Sequence, residues 1–122
     1  MFVYSFEKLV FWDDLRAFIS EIYKITNNYP KSENYCLIDQ IRRACISVSS
    51  NLAEGSSRLS RKDQAHFYQI SFSSLMEVLS QLIVSLDLNY IDYGTYSSLR
   101  KRIDYLAKKI TALRKSRLEN IS

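Results

Sequence analysis

A chain of 122 residues with 47% hydrophobic and 25% charged side chains has the composition of one globular domain, which excludes disorder and leaves no material for two separate cores. Two glycines and one proline are too few breakers for a fold of many short strands, so long helices are expected. The net charge is +4, but residues 100–119 carry eight cations against Asp104 and Glu119, a local +6, and the remainder is −2; such asymmetry points to a polyanionic partner.

The first helix is expected over about 7–27. Leu9, Trp12, Leu15, Ile19, Ile22 and Ile25 recur at steps of three and four, with Asp13, Asp14, Glu21 and Lys24 on the other side. Asn27, Asn28 and Pro30 stop it. The second helix is expected over about 33–54, capped by Ser32, with Leu37, Ile41, Ala44, Cys45, Val48 and Leu52 as its apolar stripe and Gly55 as a left-handed residue after its end. Cys36 and Cys45, nine residues apart, fall on opposite faces and read as two reduced thiols, Cys45 in the core.

The third helix opens at Ser60, where Ser60 with Asp63 resembles a capping box, and spans about 61–88. Phe67, Ile70, Leu75, Val78, Leu79, Leu82 and Leu86 point inward, and Phe72, Met76 and Ile83 widen the stripe, as a helix with two neighbours requires. A turn containing Gly94 and Thr95 leads to the fourth helix, about 96–118. Its seam of Leu99, Ile103, Leu106, Ile110 and Leu113 alternates steps of four and three. Short loops between long helices predict an all-α, antiparallel up-down-up-down four-helix bundle occupying 1–122 as a single domain. The ends, Met1–Ser5 and about 119–122, read as loosely held, with Phe2 and Tyr4 available to pack on a neighbour.

The stretch "NLAEGSSRLSRKD" is accordingly a helix corner. It lacks the Gly-Lys-Ser/Thr of a phosphate-gripping loop, although Arg58, Arg61 and Lys62 stand beside a helix N-terminus, where a phosphate is welcome. "QIRRACISVSSNLAEG", with Gln40, Arg43, Ser47, Asn51, Ala53, Glu54 and Gly55 in order, resembles the bacterial 23S rRNA intervening-sequence protein family. Trp12, Tyr29-Pro30, Arg58, Phe67 and Glu77 support the resemblance, which extends from Phe6 to about Leu113. The family's common Phe-Pro corner is Tyr29-Pro30 here, and its Ser-Ile and Asn-Ile pairs are Ser47-Val48 and Asn51-Leu52. The resemblance implies a small bundle assembling as a ring, typically a homopentamer. It also implies kinship with the accessory variability proteins of diversity-generating retroelements, whose basic pentameric barrel binds a reverse transcriptase and nucleic acid.

Gln40, Arg43, Ser47, Asn51 and Glu54 form a polar stripe beside the apolar one, and Ser74, Glu77 and Gln81 form a similar stripe on the third helix. The reading is a buried or interfacial network, with Arg43 paired to Glu54 or Glu77, rather than a catalytic pocket. His66 is the only histidine, so no soft-metal site assembles within one chain, and no cofactor or serine-nucleophile pattern is present.

On the fourth helix Lys101, Lys108 and Lys115, seven apart, line the outward face. Arg100, Lys109 and Arg114 flank them, and Tyr105 lies between Lys101 and Lys108 in projection. The expected function is a non-enzymatic oligomer that binds RNA or DNA backbone through this helix and the Arg58, Arg61 and Lys62 corner. The alternative is a protein–protein adaptor for a nucleic-acid enzyme, with Tyr4, Tyr90, Tyr93 and Tyr96 as exposed contacts. No bilayer-length apolar run and no signal peptide are read, so a cytoplasmic protein without membrane partners is expected.

Overall fold

The computed structural model describes residues 1–119 and is all-helical over them, with four α-helices and no strand. We number them α1 (Trp12–Thr26), α2 (Leu37–Ser57), α3 (Arg61–Asp87) and α4 (Tyr93–Leu118). Single 3-10 turns at Ser5–Lys8 and Lys31–Glu33 precede α1 and α2. Glu119 is an exposed turn residue; the rest of the C-terminal end expected to be loose, 120–122, lies outside the described residues.

Cross-helix contacts fix the topology. The Ser47 and Ser74 hydroxyls lie 2.7 Å apart, the Ser71 hydroxyl donates to the Val48 carbonyl at 2.8 Å, and the Ser56 and Tyr68 hydroxyls are 2.9 Å apart. Rising positions on α2 thus meet falling positions on α3, an antiparallel pair. Arg61, at the start of α3, donates to the Ser116 carbonyl at the end of α4. Arg42 of α2 reaches the end of α1, with Nε 3.0 Å from the Thr26 hydroxyl and the guanidinium over the Tyr23 ring. Each helix packs on its sequence neighbours, α1 also meets α4, and the backbones of the diagonal pairs do not approach closely among the described residues. This is an up-down-up-down bundle.

The core follows the periodicities. Leu15, Ile22, Ile41, Leu52, Leu75, Leu82, Ile103 and Ile110 are fully buried, as is the thiol of Cys45. Phe11, Phe18 and Tyr68, which the stripes did not include, are also buried. Both cysteines are free, Cys36 exposed and Cys45 buried. By length and composition α3 is apolar enough to cross a bilayer, although no bilayer-length apolar run is expected from the sequence. Tyr68, Leu75, Val78 and Leu82 of α3 are buried in the bundle core, whereas Ile83 and Val84 are exposed.

Four boundaries differ from expectation, each for a local reason. Helix α1 begins at Trp12 rather than 7, because Ser5–Lys8 winds as a 3-10 turn in which Tyr4 N–H donates to the Glu7 carboxylate at 2.8 Å. Ser32 lies in the second 3-10 turn and does not cap α2, which begins at Leu37. Gly55 is not a left-handed residue; no glycine has positive φ, and α2 runs past it to Ser57. Helix α4 starts at Tyr93, because the Asp92 carboxylate accepts the Thr95 N–H at 2.7 Å, leaving Gly94 inside the first turn. The left-handed residue of the last corner is Asn89 (φ 63), where Tyr90 N–H returns to the Ser85 carbonyl at 2.9 Å and closes a Schellman motif. The Ser60 cap is as expected, accepting the Asp63 N–H at 3.0 Å.

Gly55 has a different task. It is buried, and a Cβ built on it would stand 2.7 Å from Tyr68 Cε1 and 3.1 Å from Phe67 Cβ. The absent side chain lets α2 and α3 approach closely at the corner and seats the Tyr68 ring.

Candidate nucleic-acid interface

Helix α4 owes its cationic face to its own sequence. With Leu99, Ile103, Leu106 and Ile110 turned into the core, a period of 3.6 puts Lys101, Lys108 and Lys115 on the opposite side. All three are exposed, and no ion pair engages any of them among the described residues. Arg100 is exposed but committed, 2.7 Å from the Tyr96 hydroxyl and 3.7 Å from Asp104. Lys109 and Arg114 are half-buried, and the Lys109 ammonium sits 5.5 Å from the Tyr105 ring centroid.

The helix corner contributes less than its composition suggests. Arg58 contacts Glu54 at 3.2 Å and Asp63 at 3.6 Å and lies over the Phe67 ring. Arg61 is spent on the Ser116 carbonyl. Lys62 is exposed and, among the described residues, unpaired. Two of the three corner cations therefore hold the fold, and Lys62 alone resembles the lysines of α4.

The polar stripe divides into two parts. Its inner part is a small α2–α3 clasp: Ser47 against Ser74, with Asn51 Nδ2 donating to the Ser47 carbonyl at 2.8 Å and to its hydroxyl at 3.1 Å. Its outer part, Gln40, Arg43, Glu77 and Gln81, rims an open groove of ≈ 290 Å³. The expected partners of Arg43 are corrected. Arg43 pairs with Asp39 at 2.9 Å, one turn back, and Glu54 pairs with Arg58. Eleven residues along one helix separate Arg43 from Glu54 by about 16 Å, beyond any side-chain reach. Arg42, not Arg43, is the arginine that joins two helices.

Of the aromatics expected at the surface, Tyr4 and Tyr93 are exposed. Tyr90 and Tyr96 are half-buried, Tyr90 donating to the Glu33 carboxylate at 3.3 Å. The Tyr29 hydroxyl is buried, which raises its pKa; the Ser85 hydroxyl beside it partly offsets that but already donates to the Gln81 carbonyl. Tyr29 Oη has no hydrogen-bond partner of normal geometry among the described residues. His66 is exposed, its ring edge-on to Phe67.

One feature escaped the sequence. Asp14, Lys101, Arg102, Tyr105 and Leu106 surround an open groove of ≈ 310 Å³ between the start of α1 and the middle of α4. Partial burial, and then the Asp14 carboxylate beside it, hold the Tyr105 hydroxyl above its ordinary pKa. Only the antiparallel pairing of α1 with α4 brings Asp14 there.

Fold and surface define a small up-down helical bundle with a basic, unpaired outer face on its last helix. Residues 7–112 match the family described as 23S rRNA-intervening sequence protein, and the chain belongs to that family. Among solved structures it is similar to a protein of unknown function from the S23 ribosomal protein family of Bacteroides thetaiotaomicron VPI-5482. That likeness has a TM-score of 0.75 at 23% identity, over 84% of this chain and 96% of the other, and speaks to the fold alone. No curated protein matches the chain.

Proposed function

We propose that this protein is a non-catalytic, self-associating helical bundle that binds nucleic-acid backbone through the outer face of α4. One observation carries the reading: Lys101, Lys108 and Lys115 lie exposed along a single helix face, outside every ion pair of the described residues. The lysines elsewhere among the described residues are also outside the ion pairs, so what sets these three apart is their alignment on one helix face. Three left in water at a seven-residue spacing make a linear array of positive charge, which phosphates complement. The family name, which refers to 23S rRNA, is consistent with such a partner.

Self-association is supported by the N-terminal arm, where Phe2 and Tyr4 stack edge-on at 4.9 Å while both remain largely exposed. An apolar arm of this kind gains by packing on a neighbouring copy, and a ring of copies would present the α4 face several times over. The pentamer is what the family resemblance implies.

Anisotropy of a labelled mixed-sequence RNA, titrated with protein between 50 and 200 mM salt, tests the reading. Phosphate contacts require the logarithm of affinity to fall steeply and linearly with the logarithm of salt concentration. Salt-independent binding, or none at low salt, contradicts it. An adaptor role is the second reading, favoured by the exposed Tyr93 at the start of α4; a protein partner retained after nuclease treatment would support it.

A further inference from the structure

The groove between α1 and α4 differs in kind from the ridge beside it. Its wall is the Tyr105 ring, 39% exposed, its floor is Leu106, and Asp14 closes the α1 side. The exposed lining is mostly apolar. Its lining includes the cations Lys101 and Arg102, but the Tyr105 ring and Leu106 are apolar and the Asp14 carboxylate repels an anion, so the groove suits a flat ring better than a phosphate. The rim is the reverse. Lys101 precedes Tyr105 by one turn and Lys108 follows it by just under one turn, so the ring lies between two exposed cations about 10 Å apart along the axis. Lys109 lies over one face of the ring, 5.5 Å from its centroid, and adds a third charge there. Arg102 stays turned toward α1, over the Phe18 ring at 5.7 Å.

An apolar slot with an aromatic wall and a cationic rim complements a flat, uncharged ring that is linked on both sides to phosphates. Aromatic side chains accept any base on their faces, and base stacking combined with a basic track is how sequence-tolerant single-strand binding is built. A base inside a duplex is already stacked and paired and cannot enter; one in a single strand can be splayed out. The geometry points to single-stranded nucleic acid as the ligand class of this face, an unpaired base stacking on Tyr105 while its neighbouring phosphates lie on Lys101 and Lys108. The Asp14 carboxylate, which lies beside the Tyr105 hydroxyl, is an acceptor for a base amino group. This inference rests on the proposed binding role of α4 and adds the strandedness of the ligand.

The test compares wild type, Tyr105→Ala and Tyr105→Phe against four labelled probes of equal length: single-stranded RNA, single-stranded DNA and the two corresponding duplexes. Tyr105 is partly exposed, so circular dichroism should show all three proteins folded alike. The expected result is tighter binding of single strands than duplexes by wild type. Tyr105→Ala should lose about tenfold or more on single strands with duplex binding unchanged, and Tyr105→Phe should retain wild-type affinity. The RNA and DNA arms show which sugar is preferred and leave the stacking claim standing either way. Equal loss on single strands and duplexes overturns the inference, as does no loss on either. If Tyr105→Ala is silent while Lys101→Glu weakens every probe, the backbone-binding role stands and the stacking site falls. If no probe binds at low salt, both fall. If Tyr105→Ala instead changes the sedimentation mass, the groove is a contact between copies and the inference is wrong.

Discussion

Replacing Gly55 with alanine isolates the close approach of α2 and α3. Because Gly55 does not have positive φ, the substitution brings no backbone strain, and only sterics and propensity act. The new Cβ would lie 2.7 Å from Tyr68 Cε1 and 2.9 Å from Cδ1, where carbon atoms prefer about 3.5–4.0 Å. Tyr68 is 1% exposed and its hydroxyl sits 2.9 Å from the Ser56 hydroxyl, so the ring has no empty space to move into and loses a hydrogen bond if it tilts. Overpacking of this sort costs about 2 kcal/mol, and the lost hydrogen bond about 1 kcal/mol. Better helix propensity returns up to about 1 kcal/mol. The net loss is about 2 kcal/mol, a fall of roughly 8 °C in Tm for a chain of this size. Urea denaturation of wild type, Gly55→Ala, Tyr68→Leu and the double variant measures it. With the ring removed, only the 3.1 Å approach to Phe67 Cβ remains, and the alanine should cost much less than in wild type. A Gly55→Ala protein as stable as wild type, or an equal loss in the Tyr68→Leu background, would refute the packing account.

Three further predictions concern the core and the arm. At pH 8 a thiol reagent should label Cys36 at once and Cys45 only on unfolding, since Cys45 is fully buried and burial pushes its pKa up to about 12. The unfolded thiol ionises near 9 while the folded one stays protonated, so above that pH the unfolded state binds fewer protons and stability should fall by about 1.4 kcal/mol per pH unit towards 12. Urea midpoints at pH 8 and 10.5 check this, and a slope no shallower in Cys45→Ala would contradict it. Removal of residues 1–4 should lower the sedimentation mass without changing helix content; an unchanged assembly would show that the Phe2–Tyr4 arm covers no neighbour.

The helical scheme was legible because three long helices keep one apolar stripe each, and periodicity over more than twenty residues outweighs local noise. Boundaries were harder, since a 3-10 turn such as Lys31–Glu33 has the same polar, capping-type residues as a true helix start. Gly55 was misread because glycine serves both left-handed corners and close approaches, and the deciding ring, Tyr68, is thirteen residues away. Asn89, which does take the left-handed position, is an ordinary choice for it. The pairing of Arg43 with Asp39 could have been found from its four-residue spacing. The lysine face of α4 follows from spacing alone, whereas the placing of Asp14 beside Tyr105 requires the tertiary pairing of α1 with α4.

The central claim is tested most directly by reversing the three exposed lysines together, Lys101→Glu, Lys108→Glu and Lys115→Glu, and measuring the salt dependence of single-stranded RNA binding. A control should reverse Lys8, Lys24 and Lys31, exposed residues away from α4. The account predicts that the α4 triple variant binds far more weakly and that its log–log salt slope drops by about 2, from three lost phosphate contacts at about 0.7 each, with the control close to wild type. An α4 triple variant that keeps its affinity and slope, or a control that loses as much, would contradict the account.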